Sequence, residues 1–113
     1  MPDLHTLART HLANARADER GRSAELVVHD GELRQTVIAL AADVRLPAHN
    51  SPPAASILVL TGRIRVELDA DVQGELGEGE LWTLTHERHS VLALEDSAFL
   101  LTTVTSVGRQ SSS

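Results

Sequence analysis

The hydrophobic positions of this chain follow two different periods, and the change between them divides the sequence. Near the N-terminus, apolar and small side chains recur every three or four residues, which is typical of one face of an amphipathic helix. We predict a helix over residues 2 to about 20, with Pro2 in its first turn, Asp3 near its N-terminus and Gly21 ending it. Its stripe is small, so the helix is expected to pack as an arm against a barrel or a partner subunit. The stripe consists of Leu4, Leu7, Ala8, His11, Leu12 and Ala15.

From residue 24 onward the period changes to that of β-strands. Val- and Leu-rich runs alternate with glycines and acidic clusters, and residues 63–68 alternate strictly, with Ile64, Val66 and Leu68 on one face. Short strands at this spacing predict a sandwich or barrel, and the tail 108–113 is expected to be disordered. The predicted strands cover residues 24–29, 33–41, 56–60, 63–68, 72–76, 81–84, 90–94 and 98–104.

The length of 113 residues predicts one domain with a core of its own. Leu, Val and Ile dominate that core, because Trp82 and Phe99 are the only aromatic residues. The sequence contains no cysteine, which excludes disulfides, thiolate metal sites and cysteine nucleophiles. No Gly-rich loop joins a strand to a helix, so dinucleotide-binding and P-loop folds are excluded as well.

Charge and hydropathy narrow the partners further. The formal net charge of −6 disfavours a phosphate backbone, so we expect no nucleic-acid partner. No apolar run reaches the roughly 18–20 residues of a membrane span, and the N-terminus does not have the pattern of a signal peptide. We therefore expect a cytoplasmic protein with no membrane partner.

Two segments resemble the two motifs of the cupin family. Residues 40–49 are similar to the strand, turn and strand that enter the first motif, and residues 49–62 match that motif in length and in their Val-Leu-x-Gly ending. Residues 79–85, followed by His89, are similar to the second motif, in which a Gly-acidic pair opens a strand that leads to a His. The resemblance covers roughly residues 33–106 and implies an all-β, antiparallel jelly-roll barrel behind the N-terminal helix, over residues 24–107.

The same resemblance implies only part of a metal site. Metal-binding cupins carry two His and one Glu in the first motif and one His in the second. His49 and His89 stand at two of those positions, whereas Ser51 and Ala54 stand at the other two. His86 is the one candidate for a third ligand. Zinc, iron, nickel, copper or manganese are the metals such a set would hold, but a catalytic zinc has three protein ligands, so a metal-free pocket is favoured.

Three functions remain open on this sequence. The first is a binding module whose pocket holds a small polar or anionic molecule and is formed by His49, Ser51, Trp82, His89 and Val91. The second, which the cupin resemblance implies, is a metal-dependent enzyme of dioxygenase or isomerase type, with His49 and His89 as ligands and His86 as the candidate third ligand. The third is a stability and assembly protein with an idle pocket. The resemblance also implies a homodimer, in which pairing would cover exposed sheet edges.

Other polar residues are given simpler roles. Arg63, Arg65 and Glu67 are expected on an exposed strand face, where an arginine could border a pocket for an anion. His5, His11 and His29 are expected to be solvated, and Asp43 and Asp96 to occupy turns. No serine lies in a nucleophile motif, so no nucleophilic site is predicted.

Overall fold

A computed structural model of the chain describes residues 1–47, 54–69, 71–84 and 88–105. Within these ranges the chain forms one helix followed by nine strands. The elements are α1 (Leu4–Ala17), β1 (Arg22–Asp30), β2 (Leu33–Leu40), β3 (Arg45–Leu46), β4 (Ala54–Thr61), β5 (Arg63–Leu68), β6 (Asp71–Gly77), β7 (Leu81–Leu84), β8 (Ser90–Ala93) and β9 (Ser97–Val104).

The strands form two antiparallel sheets that pack face to face. The five-stranded sheet has the order β1-β2-β9-β4-β7, and the four-stranded sheet has the order β3-β8-β5-β6. Their inner faces share one aliphatic core around Phe99, with residues such as Ile38 and Val59 from the first sheet and Ile64 and Val91 from the second. The predicted jelly roll with one N-terminal helix is confirmed.

The strand predictions agree with the structure because alternation and turn residues indicate the same boundaries. Strands β5 and β7 have the predicted bounds, and β1 and β2 are joined by a hairpin, in which Asp30 pairs with Leu33. Gly31 takes the left-handed conformation, at φ 59°, that such a tight turn requires. Strand β3 lies within residues 40–49, where the cupin resemblance implies a strand, although its two residues are too few to show a period of their own.

The helix is shorter at both ends than the sequence predicted. Asp3 is its N-cap, with Oδ1 accepting hydrogen bonds from the amides of His5 at 3.0 Å and Thr6 at 3.3 Å. Pro2 therefore lies before the helix and not in its first turn. The helix ends at Ala17, so Gly21 lies in the link to β1 instead of ending the helix.

The apolar stripe of α1 packs on the outer face of the five-stranded sheet. Ala8, Leu12 and Ala15 are buried against Ala39 and Ala98. Ala39 on β2 and Ala98 on β9 are cross-strand partners, and two methyl groups side by side let the helix backbone approach the sheet closely. The stripe is thus covered by the chain's own barrel, while the homodimer stays a prediction.

Asp96, predicted to be a turn residue, also fixes the helix to the barrel. Its Oδ2 accepts a hydrogen bond from Nε of Arg16 at 2.7 Å, and its Oδ1 accepts one from the amide of Ala42 at 2.8 Å. The Arg16 hydrogen bond, followed by that of Ala42, lowers the pKa of the Asp96 carboxyl below its ordinary value. The helix, the loop after β2 and the start of β9 meet at this one carboxylate.

In the ranges that the structure describes, no helix has both the length and the apolar character needed to cross a bilayer.

Candidate ligand-binding site

The two ends of the barrel interior differ in burial. We call the end where β2 and β4 begin and β7 and β9 end the upper end of the barrel. At the lower end the inward-facing side chains, such as Leu40, Phe99 and Val59, are fully buried and apolar. At the upper end, inward-facing residues such as Thr36, Leu84 and Leu101 are only partly buried. The inward-facing side chains are therefore more exposed at the upper end than at the lower end.

Strand β2 brings a cation into this upper end. Its register with β9 is continuous, so Arg34 and Thr36 lie on the same inward face as the core residue Ile38. Arg34 pairs with Thr103 on β9, and Thr103 pairs in turn with Ala55 on β4. Because Ala55 offers only a methyl group, the guanidinium and the threonine hydroxyl are the polar groups of this row.

Two polar side-chain atoms near this row are buried without a hydrogen bond. They are Nε of Arg34 and Oγ1 of Thr105. The amide of Thr105 donates to the carbonyl of Glu32 at 2.9 Å, which continues the β2–β9 ladder one step past Val104. Both atoms thus lie on adjoining strands at the upper end. Buried polar groups are nearly always paired, so two unpaired ones at the same end of the barrel require an explanation.

Trp82 closes the side of the barrel near this end. It lies on the inward face of β7, pairs with Ile57 on β4 and packs against the core. Its ring reaches Gly74 on β6, at the edge of the other sheet, where an added Cβ would be 2.6 Å from Cζ3 of the indole. The indole thus bridges the two sheet edges and forms a flat apolar wall of the interior.

The predicted site residues have different outcomes. His49, Ser51 and His86 lie outside the described residues, so their placement in a pocket stays a prediction. His89 is partly buried and directly precedes β8. Val91 is buried in the core between Leu46 and Val66, which are its cross-strand partners.

The donor set for a metal is incomplete in the described part of the chain. Within residues 1–47, 54–69, 71–84 and 88–105, no three His, Asp or Glu side chains come together as ligands. Ala54, at the position where the cupin resemblance expects Glu, is an exposed residue at the start of β4 and offers no donor atom. The described residues therefore do not fit a resident metal, and the three-histidine alternative depends on His49 and His86.

The arginines that might have bordered a pocket instead lie on the outer face of the four-stranded sheet. Glu75 accepts ion pairs from Nε of Arg63 at 3.5 Å and from Nη2 of Arg65 at 3.1 Å. Glu67 was predicted to be exposed with them, and this was wrong: it is 8% exposed and pairs with Nη2 of Arg45 at 2.9 Å. The Arg45 side chain covers the carboxylate, which a strand pattern does not reveal.

His11 also contradicts its predicted solvated state. It is 7% exposed, with Nδ1 2.7 Å from Oγ of Ser23 and Nε2 2.9 Å from Oε1 of Glu25. A serine, a histidine and a carboxylate in a row have the composition of a nucleophilic triad. However, the adjacent cleft of about 310 Å³ is lined by Glu25 and neither by Ser23 nor by His11. We therefore interpret the cluster as the polar attachment of α1 to β1.

Comparisons with solved structures identify the architecture. Three similar chains are a cupin superfamily protein from Desulfitobacterium hafniense, an RmlC-like cupin protein from Desulfovibrio desulfuricans and KdgF from a Halomonas species. The TM-scores are 0.68, 0.65 and 0.64, at 12%, 25% and 24% sequence identity. The matches cover 74%, 74% and 76% of this chain and 77%, 81% and 82% of the other chains. The chain folds as a small cupin.

No protein-family model matches this cupin, and no curated protein matches its sequence. The similarity to known proteins therefore rests on the fold. The resemblance in the two motifs correctly indicated the barrel.

Sequence reasoning missed Arg34 as an interior residue. The signal was present, because Arg34, Thr36, Ile38 and Leu40 alternate along a single strand. The apolar run at the end of this strand dominates the pattern, and the polar residues at its start do not by themselves indicate burial. Thr105 had no comparable signal, since it follows the last strand and its burial depends on neighbouring strands.

Proposed function

We propose that this cupin is a binding protein for a small polar or anionic molecule, held inside the upper end of the barrel without a full metal site. The observation that carries the proposal is the change along the inner face from fully buried aliphatic side chains to partly exposed polar ones. Ligand pockets are typically apolar concavities with a few convergent polar groups.

The upper end supplies both kinds of contact. Trp82, Leu84 and Leu101 offer apolar surface, while Arg34 and Thr103 offer hydrogen-bond donors on the facing strands. His89 precedes β8 in the other sheet and is two residues from the core residue Val91. The ring nitrogens of an imidazole can donate or accept a hydrogen bond, so His89 would add a polar contact to the ligand. His49 is proposed as the second histidine of the pocket.

The single tryptophan makes the proposal testable by fluorescence. Trp82 is the only tryptophan in the chain, so every change in tryptophan emission reports on the wall of the interior. A panel of small sugars, alcohols, amides, carboxylates and phosphate, titrated into the untagged protein, is expected to include compounds that shift Trp82 emission saturably and raise the melting temperature.

A matched pair of variants locates the binding event. Thr103→Leu fills the interior and is expected to abolish the saturable change, because Thr103 faces inward beside Arg34. Thr83→Leu adds the same bulk at Thr83, the exposed, outward-facing neighbour of Trp82. This variant is expected to keep the saturable change in Trp82 emission. Binding that survives Thr103→Leu, or a complete panel without any saturable response, contradicts the proposal.

A further inference from the structure

Arg34 differs from four other arginines of the chain in its lack of an ion pair with a described carboxylate. Arg16, Arg45, Arg63 and Arg65 each form an ion pair with a carboxylate. In the described residues no carboxylate pairs with Arg34, although its Nε is buried. A buried guanidinium nitrogen without an acceptor is costly, so Nε of Arg34 calls for an acceptor that the described residues do not supply.

A second buried polar atom next to Arg34 indicates the same kind of partner. Oγ1 of Thr105 has no hydrogen bond, and Thr105 lies two residues past Thr103, so it falls on the same face as the row of Arg34 and Thr103. A threonine hydroxyl donates one hydrogen, and the guanidinium presents N–H groups in a planar fork. These groups together match an acceptor-rich, negatively charged ligand.

Resting on the proposed function, we propose that Arg34, with the hydroxyl of Thr105, binds the carboxylate of a small organic acid at the upper end of the barrel. The Nε and one Nη nitrogen of an arginine can hold both oxygens of a carboxylate at once. The apolar remainder of the acid packs against Trp82, Leu84 and Leu101, which lie on the same inward face. Phosphate lacks such a remainder, so the apolar wall favours a carboxylic acid.

The test compares ligands that differ only in charge. Hexanoate and hexanamide have the same carbon chain, and inorganic phosphate supplies an anion without a carbon chain. Titration of the full-length protein, followed by Trp82 emission and by calorimetry, is expected to show hexanoate binding about tenfold to one hundredfold more tightly than hexanamide. Phosphate is expected not to compete with hexanoate.

Three variants assign the difference to Arg34. Arg34→Met keeps the aliphatic length, removes the unpaired nitrogen and is expected to reduce hexanoate affinity to that of hexanamide. The ligand-free Arg34→Met protein is expected to be at least as stable as the wild type, which shows that the loss of affinity is not a loss of folding. Arg34→Lys retains part of the preference, and the outer-face control Arg63→Gln retains all of it.

The outcomes separate this inference from the proposed function. If hexanamide or another neutral compound binds as tightly as hexanoate, or if Arg34→Met binds both as the wild type does, the carboxylate subsite is refuted while the binding proposal stands. If phosphate binds more tightly than hexanoate, the carboxylate subsite is refuted as well. If no compound of either panel changes Trp82 emission, both proposals are refuted.

Discussion

Gly74 on β6 faces the indole of Trp82 on β7, across the gap between the edges of the two sheets. A Cβ at position 74 would lie 2.6 Å from Cζ3 and 2.7 Å from Cη2 of the ring. The absence of a side chain at Gly74 thus allows a tryptophan to close the barrel from the other sheet. Trp82 is also the optical probe for the proposed ligand, so this contact links packing to function.

Gly74→Ala is expected to displace the indole, because overpacking of a well-packed site costs about 1–3 kcal/mol. The measurements are urea denaturation and acrylamide quenching of Trp82, which is expected to become more accessible. Gly77→Ala on the same strand is the matched control, since its Cβ would meet only the ends of two flexible side chains, Nη1 of Arg63 at 3.0 Å and Oε1 of Glu80 at 3.7 Å. Equal stability of the two variants would contradict the contact.

His11→Ala is expected to lower the free energy of unfolding by about 1–3 kcal/mol, because it leaves Ser23 and Glu25 without their common partner. The amide hydrogens of α1 are expected to exchange faster in His11→Ala than in the wild type. His5→Ala is the control, since His5 is an exposed residue of the same helix. A His11→Ala protein with unchanged stability and unchanged exchange would show that the cluster does not attach the helix.

Asp96→Asn tests the pH dependence of the helix attachment. The pKa of Asp96 is lowered in the folded protein from 3.8, its ordinary value, so its carboxylate stabilises the fold fully above the unfolded value. That contribution to stability is lost as the pH falls through the lower pKa that Asp96 has in the folded protein. At pH 7 the variant is expected to be less stable by about 0.2–1 kcal/mol, as for a solvent-exposed ion pair.

The difference in the free energy of unfolding between the wild type and Asp96→Asn is expected to shrink as the pH is lowered below 3.8. Denaturation experiments at a series of pH values measure this difference. Glu78→Gln, at an exposed position, is the control and is expected to leave the pH dependence unchanged. A difference between wild type and Asp96→Asn that grows toward low pH would contradict the assignment to this carboxylate.

Metal analysis separates the binding proposal from the enzyme alternative. Untagged protein is expected to contain no stoichiometric divalent metal and to take up none when zinc, iron, nickel, copper or manganese is added. The double variant His49→Ala, His89→Ala is expected to have the same metal content as the wild type. The control double variant His5→Ala, His29→Ala removes two exposed histidines and is expected to give the same result. Stoichiometric metal that disappears only in the first pair would instead support the metal-dependent alternative.

Much of the barrel could be predicted from the sequence, because strand alternation and turn residues are local. The bounds of β5 and β7 follow from the strict alternation of residues 63–68 and from Gly79 before residue 81. The ends of α1 were less predictable. Asp3 acts as its N-cap. Gly21 does not end the helix; a glycine is needed there because an added Cβ would be 2.6 Å from Cγ2 of Val44.

The candidate site depended on tertiary structure to a greater degree. The sequence alone determined that Ser51 and Ala54 stand where a cupin metal site expects ligands, because residue identity decides which donor atoms exist. Only the folded barrel decided that Arg34 lies inside with an unpaired Nε, that Glu67 is covered by Arg45, and that His11 is buried. Side-chain burial and pairing depend on strands that are distant in the chain, so a local pattern cannot specify them.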